Sequence, residues 1–560
     1  MKVYLAQINT TVGDLCGNRE RILAALAAGE AAGAELVVTP EMALPGYPPQ
    51  DLLERADFIR AAQERLAEMA PRTGRTALLV GTLWPNAGPG RTVHNAAVLL
   101  HEGRVVSWHA KSLLPTYDVF DEDRYFEPAG SVHPTTVHGV RLGVTVCEDI
   151  WNELEIGARR RYRADPAGEL VRQGAEVVVN LSASPFELGK PKYRSELVRN
   201  LALRLGRPVL QVNLVGGNDS LIFDGSSCGY GPDGTLLGRI DPFCEGGTLI
   251  NLSDNQSQLA MPDLPEPEWA CRALVLGLAD YARKCGFGEV LLGLSGGIDS
   301  ALVAVLAARA LGPEHVLGVS MPSRYSSEGS VADARALAER LGIAFKVIPI
   351  EPMYQAFLGQ LMPHFEGRGF DVTEENLQAR IRGTLLMALS NKFGWMVVST
   401  GNKSEMATGY ATLYGDMRRT GRNWLGDVPK RLVYELARWI NRDGEIIPKS
   451  TLEKPPSAEL RPNQTDQDSL PPYDVVDAVL LAYVEDRTPV EEIITRGLPA
   501  EQVWDVVRRV DQNEYKRRQA APILKLTCKA FGVGRRMPIA GRSNPRDWGA
   551  APQLSSVLRR

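Results

Sequence analysis

Short apolar runs recur along the whole chain, and between several of them apolar residues return at every third or fourth position instead. In the first half ELVVTPE (35–41), TALLVGTLW (76–84), NAAVLL (95–100), RLGVTVCE (141–148), AEVVVNLS (175–182) and PVLQVNLVG (208–216) predict strands, as does the alternating start MKVYLAQINTTVGDL. Helical spacing marks stretches such as 18–32 and 192–206. In the second half EVLLGLS (289–295), HVLGVSM (315–321), AFKVIPI (344–350) and GWMVVSTG (394–401) alternate with helical stretches. This alternation predicts α/β structure in both halves, the second as a doubly wound parallel sheet. In such sheets ligands bind outside the carboxyl ends of the strands, so reactive side chains are sought there first.

The pattern breaks twice. DNQSQLAMPDLPEPEWACRALVLGL, with three prolines, precedes a helical run from near Trp269 and predicts a seam at about 258–267, separating domains 1–258 and 268–560. PKSTLEKPPSAELRPNQTDQDSLPPYD (448–474) is too polar and proline-rich to predict an element, and its length reads as a lid. With 560 residues, 44% of them hydrophobic, the chain has room for two cores. Lys and Arg number 63 against 67 Asp and Glu, a net charge of -4, so neither nucleic acid nor an anionic membrane is expected as a partner. The start lacks a signal-peptide pattern and no apolar run approaches a membrane span, which predicts a cytoplasmic protein. Seven cysteines, an odd number without a CxxC pair, predict free thiols.

Three strand ends of the first half carry reactive groups. VVTPE ends at Glu41, RVVSWHAK ends at Lys111, and GVTVCEDIW carries Cys147 where its strand runs out. Singly, the cysteine reads as a small buried hydrophobe and the charged residues as solvated surface. Together they suit nucleophilic catalysis, because a thiol needs a base to become a thiolate and its adduct on a carbonyl needs positive charge near the oxyanion. Glu41 then serves as base and Lys111 as oxyanion stabiliser, with Cys147 and His109 as the alternative pairing.

The stretch LGLSGGIDSAL (292–302) has three readings. Gly293, Ser295 and Gly297 satisfy the G-x-S-x-G nucleophile elbow, although only His315 and His364 follow as possible bases. A glycine-rich strand-to-helix turn without a ligand is the second. In the third, backbone N–H groups of Ser295 to Ile298 and the helix N-terminus cradle a polyphosphate without any lysine. A carboxylate at Asp299 would repel that polyphosphate unless a hard divalent cation lay between them, so this reading makes Asp299 a magnesium ligand.

The surroundings TPEMALPGYPPQDLL, HAKSLLPTYDVFDEDRYF and CEDIW make Glu41, Lys111 and Cys147 resemble the triad of the nitrilase, or carbon-nitrogen hydrolase, superfamily. That resemblance implies an αββα sandwich and amide hydrolysis through a thioester. NLSASPFELGKPKYR is similar to the glutamine-binding segment of the glutaminase members, which implies that Tyr117, Ser184 and Lys190 hold glutamine. SGGIDS resembles the pyrophosphate-binding loop of the N-type ATP pyrophosphatases, which adenylylate a substrate oxygen and release pyrophosphate. On that likeness Gly293, Leu294, Ser295, Gly296, Gly297, Ile298, Asp299 and Ser300 bind ATP on a Rossmann-like sheet.

From Lys2 to Pro538 the motifs run in the order of the glutamine-dependent NAD+ synthetase family: EENLQARIRGTLLMALSNKFGWMVVSTGNKSEMATGYATLYGD, DVPKRLVYELARWIN, KPPSAEL with QTDQDSLPPYD, and NEYKRRQAAP. The resemblance implies that Thr400 contacts ATP, that Asn376, Glu405 and Lys516 contact nicotinic acid adenine dinucleotide (deamido-NAD+), and that Glu405 shares Mg2+ with Asp299. It implies L-glutamine, deamido-NAD+ and ATP as substrates, with the carboxylate activated as a mixed anhydride with AMP and then displaced by ammonia. A homo-oligomer is expected. Of the clustered donors Lys403, Lys516, Arg517 and Arg518, only Lys516 is assigned a role. After LYGDM the family pattern continues small, glycine-rich and apolar, whereas this chain has RRTGRNWLGD (418–427).

Overall fold

The computed structural model describes residues 1–151, 161–253, 259–417 and 421–541; the 258 end of the seam and residues 418–420 of the atypical stretch lie outside them. The chain divides into two compact units, Met1–Lys284 and Cys285–Arg560.

The strands of the first unit are β1 (Lys2–Gln7), β2 (Leu36–Val38), β3 (Ala77–Pro85), β4 (Val93–His101), β5 (Arg104–Ala110), β6 (Thr135–Val137), β7 (Val140–Val146), β8 (Val177–Ser182), β9 (Val209–Asn213), β10 (Val215–Asn218), β11 (Leu221–Asp224), β12 (Cys228–Tyr230), β13 (Leu236–Arg239) and β14 (Gly246–Asn251). They form two six-stranded sheets, ordered β14-β1-β2-β3-β4-β5 and β13-β12-β9-β8-β7-β6, with β10 and β11 as a separate hairpin. The helices are α1 (Leu15–Ala31), α2 (Ala56–Met69), α3 (Pro166–Arg172), α4 (Lys190–Leu205) and α5 (Glu266–Lys284).

Alternating side chains build the layers. Val37, Leu78, Val80 and Val98 pack with Ile22 and Leu26 of α1 and Leu66 of α2. Their neighbours Leu36, Val38, Leu79 and Leu99 face Leu142, Val144, Val179 and Val212 of the second sheet. The far side of that sheet, through Val178 and Val209, takes Leu197 and Leu201 of α4. The result is the expected αββα sandwich. The run 208–216 is two strands: the Leu214 N–H makes the last bond to β8, on Ser182 O (2.9 Å), its side chain buries on the α1/α2 side, and from Val215 the chain pairs with β11 instead.

Helix α5 is packed within this unit. Asp280 accepts from Asn9 Nδ2 and the Gly217 N–H, both at 2.7 Å. Lys284 Nζ donates to Asn9 Oδ1, Thr10 O and Asn218 Oδ1 at 2.8 Å and to Gly217 O at 2.9 Å.

In the second unit β15 (Val290–Gly293), β16 (Val316–Ser320), β17 (Ala344–Val347), β18 (Met396–Ser399) and β19 (Arg422–Asn423) form one parallel sheet, β17-β16-β15-β18-β19. Its helices are α6 (Ile298–Leu311), α7 (Glu328–Leu341), α8 (Glu351–Leu361), α9 (Val372–Phe393), α10 (Lys403–Thr408), α11 (Lys430–Ile440), α12 (Lys449–Glu453), α13 (Tyr473–Val479), α14 (Val490–Thr495), α15 (Ala500–Gln512) and α16 (Glu514–Arg517). Tyr354, Leu358, Ile381 and Leu386 of α8 and α9 cover Leu291, Leu317, Val319 and Val397 on one face. The strand order reverses between β15 and β18, and a doubly wound sheet opens its crevice at such a point. Helices α10, α13, α14 and α15 form a second core around Val479, Ile493, Val503 and Val507.

The stretch 448–474 is not devoid of structure: it contains α12 and a 3-10 turn at Asp466–Asp468. Its prolines do not prevent this, since Pro448 caps the start of α12 and Pro455 lies beyond its end, where no interior hydrogen bond is lost. All seven cysteines are free. Among the described residues no helix is long and apolar enough to cross a membrane.

Strand β3 passes directly under the turn that carries Glu41. A Cβ on Gly81 would stand 2.0 Å from Pro40 O and 2.7 Å from Glu41 Cα, both backbone atoms that cannot swing aside. Gly81→Ala is therefore expected to destabilise the first unit by about 1–3 kcal/mol, read as a lower midpoint of its unfolding transition. An unshifted midpoint would mean that the turn yields.

Candidate active sites

In the first unit the three predicted side chains converge. Lys111, at the end of β5 and 1% exposed, donates from Nζ to Glu41 Oε1 at 2.7 Å. Glu41 Oε1 also accepts from Asn95 Nδ2 (2.7 Å), and Oε2 accepts the Ala183 N–H (2.8 Å) beyond β8. Cys147 is buried at the end of β7 with φ +40°, a left-handed conformation unusual for cysteine that the surroundings must hold. Asp149 braces this turn: Oδ2 accepts the Val146 N–H and Oδ1 accepts the N–H groups of Ser112 and Leu113, all at 2.9 Å. It thereby ties the chain after Lys111 to the chain before Cys147.

A second carboxylate joins the cluster. Glu122 lies 2.8 Å from Lys111 Nζ and accepts from Tyr47 OH at 2.9 Å. Burial pushes the Glu122 carboxyl up to about 7, with Lys111 opposing and Glu41 adding to the rise. Burial works against the charge of Lys111, but Glu122 and Glu41 outweigh it and hold the ammonium well above its ordinary pKa. The Cys147 thiol is pushed well up, first by burial and then by Glu41, with Lys111 opposing. It rests as a thiol, so attack on a carbonyl requires a proton acceptor. His109 is engaged elsewhere, with Ser107 Oγ at 3.0 Å, and is pushed down to about 4 by burial and by His133.

The three residues expected at glutamine fall on the surrounding elements. Tyr117 OH donates to Glu148, the residue after Cys147, at 3.0 Å, and the Arg161 guanidinium lies 3.6 Å from the centre of the Tyr117 ring. Ser184 directly follows Ala183 and donates its N–H to Asn213 Oδ1 at 2.8 Å. Lys190 opens α4, with Nζ 5.4 Å from the centre of the Trp151 ring.

In the second unit a cavity of about 460 Å³ opens where the strand order reverses, and Gly293, Leu294, Ser295, Gly297, Ile298, Asp299, Ser300, Thr400, Asn376, Glu405 and Lys516 all line it. Gly296 lies behind them with φ +82°; a Cβ there would stand 2.1 Å from Ser330 O, so the turn rests on the first turn of α7. Helix α6 begins at Gly297 with no side-chain cap, which leaves its first N–H groups for an anion. The Ser295 hydroxyl is occupied by Ser300 Oγ (3.1 Å) and the Gly297 N–H (3.2 Å) rather than by a base, contrary to the nucleophile-elbow reading.

Positive charge at this turn comes from a distant residue. Lys430, at the start of α11 and nearly buried, sets Nζ 2.5 Å from Asp299 Oδ2 and 4.0 Å from Glu405 Oε1. Asn402 Nδ2 donates to Asp299 Oδ1 at 3.0 Å. Burial raises the Glu405 carboxyl well above its ordinary pKa, Asp299 adds to this, and Lys430 opposes it. Two crowded carboxylates facing a cavity fit a hard divalent cation, which would relieve their repulsion. Among the described residues no three His, Cys, Asp or Glu side chains are grouped to hold a metal by themselves. Mg2+ commonly takes one or two carboxylates and completes its shell with water and phosphate oxygens, and this donor set suits that mode. Asn376 Oδ1 accepts from Thr412 Oγ1 at 2.7 Å, and Lys516 Nζ donates to Gly409 O (2.7 Å) and Ala411 O (2.9 Å).

Asn95, Glu122, Tyr47 and Asp149 in the first site and Lys430 in the second are not singled out by the sequence pattern. Lys430 stands in DVPKRL and Glu122 in DVFDEDRYF, both inside quoted motifs, but neither segment distinguishes the inward-pointing charge from its neighbours.

The carbon-nitrogen hydrolase family profile matches residues 2–258 and the NAD synthase profile residues 270–520. Fold, sites and profiles define a carbon-nitrogen hydrolase joined to an NAD synthase in one chain. The chain is 48% identical over 554 residues to the glutamine-dependent NAD(+) synthetase of Synechocystis sp., covering 97% of this chain and 99% of that one. It is 42% identical over 581 residues to that of Thermotoga maritima, covering 97% and 99%. The solved structure of the Acinetobacter baumannii glutamine-dependent NAD+ synthetase, in complex with ADP, superposes with a TM-score of 0.75 at 36% identity, covering 96% and 98%. The chain belongs to the glutamine-dependent NAD+ synthetase family.

The stability of the Lys111 cluster depends on pH with a defined sign. A carboxyl raised to about 7 favours folding while protonated, and that contribution is lost as pH rises from the ordinary carboxyl range through 7. Lys111→Met removes the partner that opposes this rise, so the loss of stability should be small near about pH 5 and grow to about 3–5 kcal/mol near about pH 8. Thermal unfolding at the two pH values measures it; equal deficits would show that Glu122 does not titrate against Lys111.

Proposed function

We infer that this chain converts deamido-NAD+ to NAD+, using ATP and the amide nitrogen of L-glutamine and releasing AMP, pyrophosphate and glutamate. The observation that carries this reading is the presence, in one chain of this family, of a buried Glu41–Lys111 pair at the Cys147 turn and of a glycine-turn cavity holding Asp299 and Glu405. We assign residues 1–258 to the glutaminase and 268–560 to the synthetase.

In the glutaminase, Tyr117, Ser184 and Lys190 hold glutamine. Glu41 takes the thiol proton as Cys147 Sγ bonds to the amide carbon, and Lys111 stabilises the negative charge that grows on the oxygen. Collapse of the adduct expels ammonia and leaves a thioester, which water opens to glutamate. The raised thiol pKa supports this order, since the nucleophile forms only as the base accepts its proton.

In the synthetase, the turn from Gly293 to Ser300 and Thr400 hold ATP, while Asn376, Glu405 and Lys516 hold deamido-NAD+. A carboxylate oxygen of the dinucleotide bonds to the α-phosphorus as the bond to pyrophosphate breaks. The ammonia lone pair then attacks the carboxyl carbon, and AMP departs with the electron pair of the broken bond. Asp299 and Glu405 would hold Mg2+, which when bound neutralises charge on the pyrophosphate leaving group. A homo-oligomer is part of the same proposal. The balanced charge and the small substrates suit a cytoplasmic enzyme.

Cys147→Ala should lose glutamine-driven synthesis yet make NAD+ from ammonium, increasingly so as pH rises, because only unprotonated ammonia carries the attacking lone pair. Asp299→Asn should lower synthesis from either nitrogen source by roughly 100-fold or more while glutamine is still hydrolysed. Chromatography of NAD+ and glutamate measures both. A Cys147→Ala enzyme still driven by glutamine would remove the triad from the mechanism, and an Asp299→Asn enzyme of ordinary rate would remove Asp299.

A further inference from the structure

The cavity of the second unit is roofed by the strap between α12 and the turn at Asp466, with Thr451 and residues 454–460 in its lining. The strap is held by polar contacts to α7 and α9; on α9, Gln378 Nε2 donates to Leu460 O (2.8 Å) and Glu375 Oε1 lies 3.6 Å from Arg461 Nε. Ser327, Ser330 and Asp333 are spaced three apart and share one side of α7. Glu459 Oε1 accepts from Ser327 Oγ (3.0 Å) and Ser330 Oγ (2.8 Å). Asp333 accepts from Ser450 Oγ (2.5 Å) and from Lys454 Nζ (3.0 Å), so one carboxylate holds both ends of the strap's first turn. The same turn of α7 supports Gly296, whose carbonyl accepts from Thr451 Oγ1 at 3.2 Å. Asp333 does not line the cavity; its side chain lies behind Lys454, which does.

We propose that Asp333 is a positioning residue of the synthetase: it holds the strap shut over the cavity and so keeps water from the activated carboxylate. The proposal rests on the reading of this cavity as the site of adenylate formation. A mixed anhydride with AMP has two possible fates. Ammonia adds to the carboxyl carbon and AMP leaves, giving the amide; or water adds to the same carbon, the bond to AMP breaks with its electron pair on AMP, protons pass to solvent, and the starting carboxylate returns. The second fate consumes ATP without product, and a closed strap suppresses it by excluding water. A strap freed of its charge-assisted hydrogen bonds spends more time open.

The test uses the full chain with ATP, magnesium, deamido-NAD+ and ammonium, so that the glutaminase takes no part, and compares the amounts of AMP and NAD+ formed. Wild type should make them equally. Asp333→Asn and Asp333→Ala should make AMP in excess by at least about threefold, a conservative bound since losing a charge-assisted hydrogen bond weakens the closed state by about tenfold or more. Asp333→Glu should return the ratio toward equality. A poorly folded variant lowers both products together and leaves the ratio unchanged, and Ser450→Ala, which removes only an exposed hydroxyl, should shift the ratio in the same direction. Equal amounts of AMP and NAD+ in Asp333→Asn and Ser450→Ala would overturn the proposal. A wild type forming neither product would overturn the assignment of the cavity itself, and this proposal with it.

Discussion

A lysine ammonium leaves water at tolerable cost only where acceptors close around it, and in both sites of this protein carboxylates supply them. In the first unit Lys111 is fixed between Glu41 at 2.7 Å and Glu122 at 2.8 Å. In the second, Lys430 lies between Asp299 and Glu405, and the fully buried Lys403 bridges Asp427 at 3.0 Å and Glu485 at 2.6 Å. Because each lysine is held, the carboxylates around it are held as well. The placement of Glu41 near the Cys147 turn and of Asp299 at the cavity therefore follows from burial of positive charge.

The same device serves opposite chemical ends. Around Cys147 it keeps a carboxylate near a neutral thiol, and in the proposed mechanism these coexist as base and nucleophile until the thiol proton passes to Glu41. At the glycine turn it supplies positive charge that the turn lacks. The Lys430 ammonium arrives on a helix 131 residues beyond Asp299, so under the proposed reading the loop could cradle phosphate without a lysine of its own. Lys403 anchors the other side of that loop: its Nζ donates to Thr527 Oγ1 and Lys529 O, joining the start of α10, with Glu405, to the carboxyl-terminal chain.

Much of this was legible in the sequence because strands announce where they end. Glu41, Lys111, Cys147 and the turn from Gly293 each follow an apolar run, and a strand end in a layered α/β fold is where a side chain can reach a ligand. Glu122 was not legible: it stands among Asp118, Asp121 and Asp123 in a loop, where pattern alone does not single out the one acid that turns inward. Lys430 was hidden by distance along the chain. The break at Leu214 and the helix at Lys449–Glu453 were missed for a different reason: local composition described them as continuous strand and as loop, and only tertiary contacts decide otherwise.

The central claim is that nitrogen released at the Cys147 site replaces an oxygen that the synthetase has first transferred to AMP. The most direct measurement supplies glutamine with heavy nitrogen in its amide and deamido-NAD+ with heavy oxygen in its carboxylate, and records the mass spectra of NAD+ and AMP from one reaction. Heavy nitrogen in the carboxamide of NAD+, together with one heavy oxygen in each AMP and none in pyrophosphate, is the predicted result. AMP without heavy oxygen, or NAD+ formed from glutamine without heavy nitrogen, would contradict it.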